Sequence, residues 1–293
     1  MSICYLDGSY RPTEKCALPV TDLAIARGVG VFDSLRGFDG KPFAMEEHMR
    51  RLEESALRIG IAVGDTVDRI RQVITDGLKR RDCPGGGTCL VKSFITGGDT
   101  NDLGMFPNPR HFVIFCRVEL PADEKYRNGI ALMPTSESRH CPTVKSINYL
   151  TGIMQCAGQA DVWECLYCPG GEILETLASS FFAHIGGTIF TAPLGTVLGG
   201  VTRSFIIDLA RTYGYKVTEQ APRLSDLPDA DEAFITGTVK DVLPVVRVGD
   251  TVIGNGKPGP VSARLLRLFR EYRDRRLKAV DKKQEEGLLP PSS

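Results

Sequence analysis

Apolar and polar positions follow two different periods along this chain, and each period predicts a type of secondary structure. Residues 45–59 place apolar side chains three and four positions apart, with Arg and Glu between them, which is typical of an amphipathic helix. Residues 67–78 show the same spacing. Residues 31–36 alternate as in a half-buried strand, and Asp39-Gly40 after them favours a hairpin turn. The first part of the chain therefore predicts both helices and strands.

The same patterns continue on both sides of residues 121–124, a Pro- and charge-containing segment that indicates a linker. Before it we predict a hairpin at 2–12, strands at 89–96 and 111–118, and a polar loop at 97–109. After it we predict strands at 130–134, 164–167, 181–185, 188–191, 217–220, 231–237, 245–248 and 251–253, and helices at 149–162, 202–213 and 262–276.

Strands and helices are mixed in both halves without a regular strand–helix–strand repeat, which favours two mixed α/β domains over a doubly wound sheet or a barrel. A chain of 293 residues also fits two domains of ordinary size. We place an N-terminal domain at 1–121 and a larger C-terminal domain at 122–280. Residues 281–293 are charged and then rich in Pro and Ser, which predicts a disordered tail.

The composition is that of a soluble globular protein, with 42% hydrophobic and 25% charged residues. The 36 basic and 36 acidic residues cancel, so neither nucleic acid nor an anionic membrane is expected as a partner. The N-terminus lacks the features of a secretory signal, and no apolar run is long enough to span a membrane. Nine cysteines without a disulfide rhythm favour reduced thiols and a cytoplasmic location.

Several common catalytic motifs are missing from the sequence. There is no phosphate-binding P-loop and no HExxH metal motif, and Gly28-Val29-Gly30 lacks the third glycine of a dinucleotide-binding loop. The four histidines are scattered, so no metal site is expected. Cys165 and Cys168 form a CxxC without a second pair, which favours a core cysteine and a turn cysteine over a zinc or redox site.

Five segments remain, and each is unremarkable alone. They are Glu47-His48-Met49-Arg50-Arg51-Leu52, Val144-Lys145-Ser146-Ile147-Asn148-Tyr149-Leu150, Ile173-Leu174-Glu175-Thr176, Leu198-Gly199-Gly200-Val201-Thr202-Arg203 and Glu232-Ala233-Phe234-Ile235-Thr236-Gly237-Thr238-Val239. In this order and spacing they resemble the class IV aminotransferases. That family includes branched-chain and D-amino acid aminotransferases, (R)-selective amine transaminases and aminodeoxychorismate lyase. The similarity covers residues 5–268 and implies the fold-type IV architecture, with pyridoxal 5'-phosphate (PLP) between a smaller and a larger α/β domain, in a homodimer.

The resemblance implies that Lys145 holds PLP as a Schiff base and moves the proton between substrate and cofactor carbons. Its apolar neighbours Val144 and Ile147 are consistent with a lowered lysine pKa. The alternative, which a lysine outside such a motif would favour, is a solvated surface side chain. By resemblance Glu175 pairs with the protonated pyridine nitrogen. The alternative is an exposed acid at a strand end. Ser180 stands where the family usually has Asn, and this departure bears on local hydrogen bonding.

The phosphate group of PLP needs cations and backbone donors. Arg51 matches the family's phosphate arginine, and its planar guanidinium suits two oxygens. Arg50 and a plain surface charge at Arg51 are the alternatives. Val201 and Thr202 precede a predicted helix whose free N–H groups favour an anion, although Thr202 could simply cap that helix. Thr238 matches a further phosphate-binding threonine.

The remaining candidates concern the cofactor ring and the substrate. By resemblance, the Tyr149 hydroxyl reaches the ring oxygen of PLP and Leu198 packs on the ring face. The alternative for Tyr149 is a half-buried helix residue. Arg36, Lys92 and Val239 are the candidates for substrate binding, with Arg36 and Lys92 as carboxylate ligands. Lys92 could also be an ordinary exposed strand residue.

The resemblance implies ping-pong transfer of an amino group from an amino acid or amine to a 2-oxo acid. No subgroup pattern is complete, because Leu90 replaces the branched-chain tyrosine and residues 97–101 lack the Arg-x-His pair of the D-amino acid enzymes. Two alternatives stay open. A lyase of the aminodeoxychorismate lyase type has some support from Lys92, and a catalytically inactive PLP-binding protein has some support from Ser180.

Overall fold

The computed structural model describes residues 2–100, 105–158 and 161–285. Its strands form two sheets, one of six strands and one of eight, and helices accompany both. The predicted mixed α/β fold class is confirmed. The six-stranded sheet uses strands between Ile3 and Arg117, and the eight-stranded sheet uses strands between Ile130 and Val252. The predicted boundary at residue 122 lies in the interval between them.

The six-stranded sheet has the order β2-β1-β6-β5-β3-β4, and all its neighbouring strands are antiparallel. Its strands are β1 (Ile3–Leu6), β2 (Ser9–Pro12), β3 (Gly30–Phe38), β4 (Lys41–Pro42), β5 (Thr88–Thr96) and β6 (Arg110–Arg117), with helices α1 (Leu23–Arg27), α2 (Met45–Arg58) and α3 (Thr66–Lys79). Met49 and Leu52 of α2 and Ile74 of α3 are almost completely buried in one cluster with Val31 and Val91 of the sheet. Each such side chain contributes about 1.5–3 kcal/mol through burial.

The eight-stranded sheet is mixed, with the order β11-β10-β9-β12-β13-β7-β8 and β14 paired to β13. Its strands are β7 (Ile130–Thr135), β8 (Glu164–Tyr167), β9 (Ser180–Ile185), β10 (Thr188–Thr191), β11 (Lys216–Glu219), β12 (Ala230–Gly237), β13 (Asp241–Val248) and β14 (Thr251–Val252), with helices α4 (Asp123–Asn128), α5 (Leu150–Cys156), α6 (Val201–Thr212) and α7 (Pro260–Glu285). Parallel pairs join β10 to β11, β13 to β7, and β7 to β8.

The structure corrects several predicted boundaries. Helix α5 ends at Cys156 rather than 162, because Ala157 is extended and Gly158 has a φ of 80°. Residues 159–160 of that prediction lie outside the described residues. The predicted linker at 121–124 contains the start of α4. Helix α7 continues through Glu285, so it includes the first residues of the predicted disordered tail, whereas 286–293 lie outside the described residues.

Close contacts connect the two halves of the chain around Lys145. Phe32 N–H in β3 donates to the Lys145 carbonyl at 2.9 Å, and Ile147 N–H donates to the Gly30 carbonyl at 3.1 Å. Val31 and Ser146 form an isolated antiparallel bridge. The segment around Lys145 is thus attached to the first sheet although its own sequence leads into the second. Within the described ranges, no helix combines the length and the apolar character needed to cross a membrane.

Candidate active site

A cavity that opens to solvent, with about 410 Å³ of empty space when its open part is included, lies where the segment around Lys145 meets α2, α6 and the end of β12. Seven predicted site residues line it: Arg51, Lys145, Glu175, Leu198, Val201, Thr202 and Thr238. The other lining residues are Arg139, Ala178, Ser179, Ser180, Gly200, Arg203, Thr236 and Gly237. The fold therefore brings most of the predicted cofactor residues to one place.

Lys145 is held by its backbone, which leaves the side chain free to face the cavity. Its N–H donates to Ser55 Oγ at 3.1 Å, and its carbonyl accepts the hydrogen bond from Phe32. The ammonium nitrogen lies 4.8 Å from the centre of the Phe32 ring. Burial, followed by the positive charge of Arg51, lowers the pKa of Lys145 from 10.5 to about 7. A large fraction of these amines is thus neutral and nucleophilic at neutral pH.

Arg51 is fixed by a buried carboxylate. Its Nε and Nη2 donate to the two oxygens of Asp33 at 2.7 and 2.8 Å, and its Nη1 donates to the Gly199 carbonyl at 3.2 Å. His48 Nδ1 also lies 2.7 Å from Asp33. Burial alone would raise the pKa of Asp33, but Arg51 and His48 outweigh it and hold the pKa below its usual range. The paired carboxylate orients the guanidinium for an anion in the cavity.

Glu175 also lines the cavity and has two partners. Leu198 N–H donates to Glu175 Oε2 at 3.3 Å, and Arg139 Nη1 lies 3.5 Å from Glu175 Oε1. The guanidinium of Arg139 lies 5.1 Å from the centre of the Tyr149 ring. Burial raises the pKa of Glu175, although Arg139, the Leu198 amide and Lys145 all oppose the increase. This carboxylate is positioned for a cationic partner.

One end of the cavity is suited to an anion. Helix α6 begins at Val201, and its N-cap residue Gly200 provides no side-chain cap, so first-turn N–H groups are available. The hydroxyl of Thr238 donates to the Ser34 carbonyl at 3.2 Å. The buried hydroxyl of Thr236 has no hydrogen-bond partner among the described residues. Such a buried polar atom in a lining residue indicates that a ligand completes its hydrogen bonding.

The cavity lining does not include four of the predicted residues. The ring of Tyr149 lies against the guanidinium of Arg139. Arg36 is buried and forms an ion pair with Asp241. Because Asp241 neutralises the positive charge of Arg36, this pairing argues against the predicted role of Arg36 in binding a substrate carboxylate. Lys92 lies opposite Ser34 in the first sheet. Val239 lies in the connection between β12 and β13 and is half-buried.

Arg139, Asp33 and His48 are among the site residues that the sequence did not predict. Arg139 lies in a polar loop that carries no periodic signal. Asp33 occupies a buried position of a strand, and His48 stands three residues before Arg51 on one helix face. A charged residue at a predicted core position of residues 31–36 was the one available signal.

The CxxC cysteines lie outside the cavity. The Cys165 thiol donates to the Gly152 carbonyl at 3.5 Å and the Cys168 thiol to the Leu166 carbonyl at 3.4 Å. Burial raises the pKa of both thiols to about 12, which makes them poor nucleophiles. In the part of the chain that the structure describes, no group of three or more His, Cys, Asp or Glu side chains could hold a metal ion.

Comparison with known proteins agrees with this geometry. Residues 30–248 match the family model of amino-transferase class IV. A protein of Methanocaldococcus jannaschii that carries the provisional name branched-chain-amino-acid aminotransferase is 31% identical over 92% of this chain and 96% of its own length. The D-alanine aminotransferase of Bacillus licheniformis is 28% identical over 87% of this chain and 92% of its own length. The crystal structure of the Escherichia coli branched-chain amino acid aminotransferase superposes with a TM-score of 0.83 at 26% identity, covering 92% of this chain and 94% of that one.

Proposed function

We propose that this chain, which belongs to the PLP-dependent class IV aminotransferases, transfers an amino group from an amino acid or amine to a 2-oxo acid. The transfer would follow a ping-pong mechanism with Lys145 as the catalytic residue. The observation that carries this proposal is the position of Lys145. A lysine whose pKa is lowered to about 7 lies in one cavity with a buried carboxylate and an anion-binding helix end. PLP requires these three features together.

The residues present fit PLP. Arg51, Thr238 and the first turn of α6 would hold the phosphate, and the unpartnered Thr236 hydroxyl lies among the same lining residues. A side chain at Gly200 would not fit at this end of the cavity, since an added Cβ would lie 2.8 Å from Ser180 Oγ. When bound, PLP withdraws electrons from the bond to the hydrogen on the substrate's reacting carbon and carries the amino group between the two substrates.

The protein's own groups supply positioning and proton transfer. The neutral amine of Lys145 would attach PLP covalently and would then move the proton of the substrate carbon. Glu175 would keep the pyridine nitrogen protonated, and Arg139 and the Leu198 N–H would hold that carboxylate in place. Leu198 would pack on the ring, and Tyr149 would reach the ring oxygen from beside Arg139. Ser180, at the family's usual Asn position, still pairs with Glu175 through a backbone bridge.

The substrate is proposed to lie on the outer face of the first sheet. Phe32, Phe94 and Phe112 stack across β3, β5 and β6 with ring centres 5.6 and 4.6 Å apart, and Lys145 lies beside Phe32. Lys92 is on the same face because side chains two apart in a strand point the same way. This face would accept an apolar substrate side chain, with Lys92 available to a carboxylate. Val239 would contact the substrate from the β12–β13 connection.

Two further proposals concern assembly and location. Leu150, Ile153 and Met154 of α5 are 64%, 56% and 65% exposed on one helix face, which is a large apolar surface for a helix next to the active site. We propose that a second copy of the chain covers it in a homodimer.

All nine cysteines are free, which supports a reducing compartment and a cytoplasmic location.

The test is a half-reaction with panels of L- and D-amino acids and amines, without any acceptor. A ping-pong transaminase should release one 2-oxo acid per active site and then stop until a 2-oxo acid is added, since the amino group stays on the enzyme. Product released continuously without an acceptor would contradict the proposal and favour the lyase alternative. Complete lack of product with every donor, in protein that binds PLP, would favour the inactive binding protein.

A further inference from the structure

A buried ion pair lies directly behind the anion-binding end of the cavity. The ammonium of Lys240 contacts Glu164 Oε1 and lies 2.7 Å from Ser179 Oγ. The side chains of Lys240 and Glu164 are 13% and 10% exposed, so water screens their interaction only weakly. Neither residue lines the cavity, but Ser179 does. The Ser179 hydroxyl therefore connects the ion pair to the cavity.

The ion pair connects two separate turns that border the cavity. Glu164, at the start of β8, accepts hydrogen bonds from the Thr176 hydroxyl and from Ala178 N–H, the latter at 3.3 Å. These residues form the turn that precedes β9. Lys240 belongs to the connection between β12 and β13, close to Thr238. The contact between the two charges thus fixes the distance between the two turns.

The contact between the Lys240 ammonium and Ser179 Oγ sets the direction of the Ser179 hydroxyl. An ammonium has only donors, so Ser179 Oγ accepts from Lys240 and must give its own proton elsewhere. The Ser179 hydroxyl donates to Glu164 Oε2, but at 3.4 Å this hydrogen bond is long and weak, and Glu164 Oε2 also accepts from two other groups. The Ser179 proton is thus available to an anion in the cavity that this residue lines.

We propose that Lys240 and Glu164 are positioning residues, which hold Ser179 as a hydrogen-bond donor to the phosphate of the cofactor and keep the two bordering turns together. This inference rests on the proposed function, because it takes PLP as the ligand. A phosphate oxygen is the acceptor such a donor favours, and a charge-assisted contact of this kind strengthens binding well beyond a neutral one.

The experiment compares two ligands that differ only in the phosphate. PLP and pyridoxal are titrated by absorbance into the apoprotein of the wild type, Ser179→Ala, Lys240→Met with Glu164→Gln, and the combination of all three. The paired change removes both charges together, so that no lone charge stays buried. Lys216→Met, at an exposed position of β11, is the matched control. Thermal unfolding of each apoprotein shows that the variants are folded.

We expect the dissociation constant of PLP to rise about tenfold in both Ser179→Ala and the paired variant, with no further rise in the combination, because all three lose the same hydrogen bond. The dissociation constant of pyridoxal should not change in any of these variants. In the control variant, the dissociation constants of both PLP and pyridoxal should match those of the wild type. Equal weakening of both ligands, or unchanged PLP affinity in Ser179→Ala, would overturn the proposal. Wild-type protein that binds neither ligand would instead refute the proposed function itself.

Discussion

Lys145 should lose its proton about three and a half pH units below an ordinary lysine, because burial and Arg51 lower its pKa from 10.5 to about 7. Since the neutral amine is the form that attacks an aldehyde, the rate of PLP attachment should follow the neutral fraction. At pH 7 that fraction is about one half for a pKa of 7, against roughly one in 3,000 for an unperturbed lysine. Attachment by the apoprotein should therefore speed up through pH 6–8 and level off above it.

The assay is stopped-flow absorbance of the apoprotein mixed with excess PLP, from pH 5.5 to pH 10. The sign follows from charge: a lysine is cationic below its pKa, so acid suppresses the reaction and base restores it. N-acetyl-lysine under the same conditions provides the reference curve. A rate that keeps rising tenfold per pH unit up to pH 9.5, like the reference, would refute the link between burial and reactivity at Lys145.

Two further substitutions test the packing of the site. Asp33→Asn leaves the buried guanidinium of Arg51 without its carboxylate and removes the charged hydrogen-bond partner of His48. It should lower the free energy of unfolding by about 3–5 kcal/mol, measured by urea unfolding of the apoprotein, whereas the exposed Asp82→Asn should change it little. A similar effect of both would contradict the assigned role. Gly200→Ala places a Cβ 2.8 Å from Ser180 Oγ and should destabilise the protein by about 1–3 kcal/mol; Gly199→Ala meets no atom within 4 Å and is its control in the same thermal melts.

Local sequence patterns predicted the helices and strands that bury one continuous face. Helix α2 (Met45–Arg58) and helix α3 (Thr66–Lys79) lie within a residue of the predicted ranges because their apolar spacing is regular. Helix α4 (Asp123–Asn128) has no buried residue, so no periodic pattern could distinguish it from a linker. The length of α5 depended on the backbone at Ala157 and Gly158, which composition alone does not determine.

The candidate site was predictable where a short motif carries the residue, and not where a partner is distant in sequence. Lys145, Glu175 and Arg51 stand in segments whose order resembles a family. The pairing of Arg36 with Asp241 joins residues 205 positions apart, and nothing near Arg36 in the sequence indicates it. Arg139 likewise gains its importance only from its contact with the Glu175 carboxylate, 36 positions further along the chain.

The central claim is that Lys145 carries the cofactor, and covalent trapping tests it most directly. Holoenzyme reduced with borohydride and digested with a protease should yield one peptide with a phosphopyridoxyl group, located by mass spectrometry on Lys145. Lys145→Ala should yield none and should lack the visible absorbance band of the bound cofactor. A phosphopyridoxyl group on another lysine of the wild type, such as Lys92 or Lys240, would contradict the account.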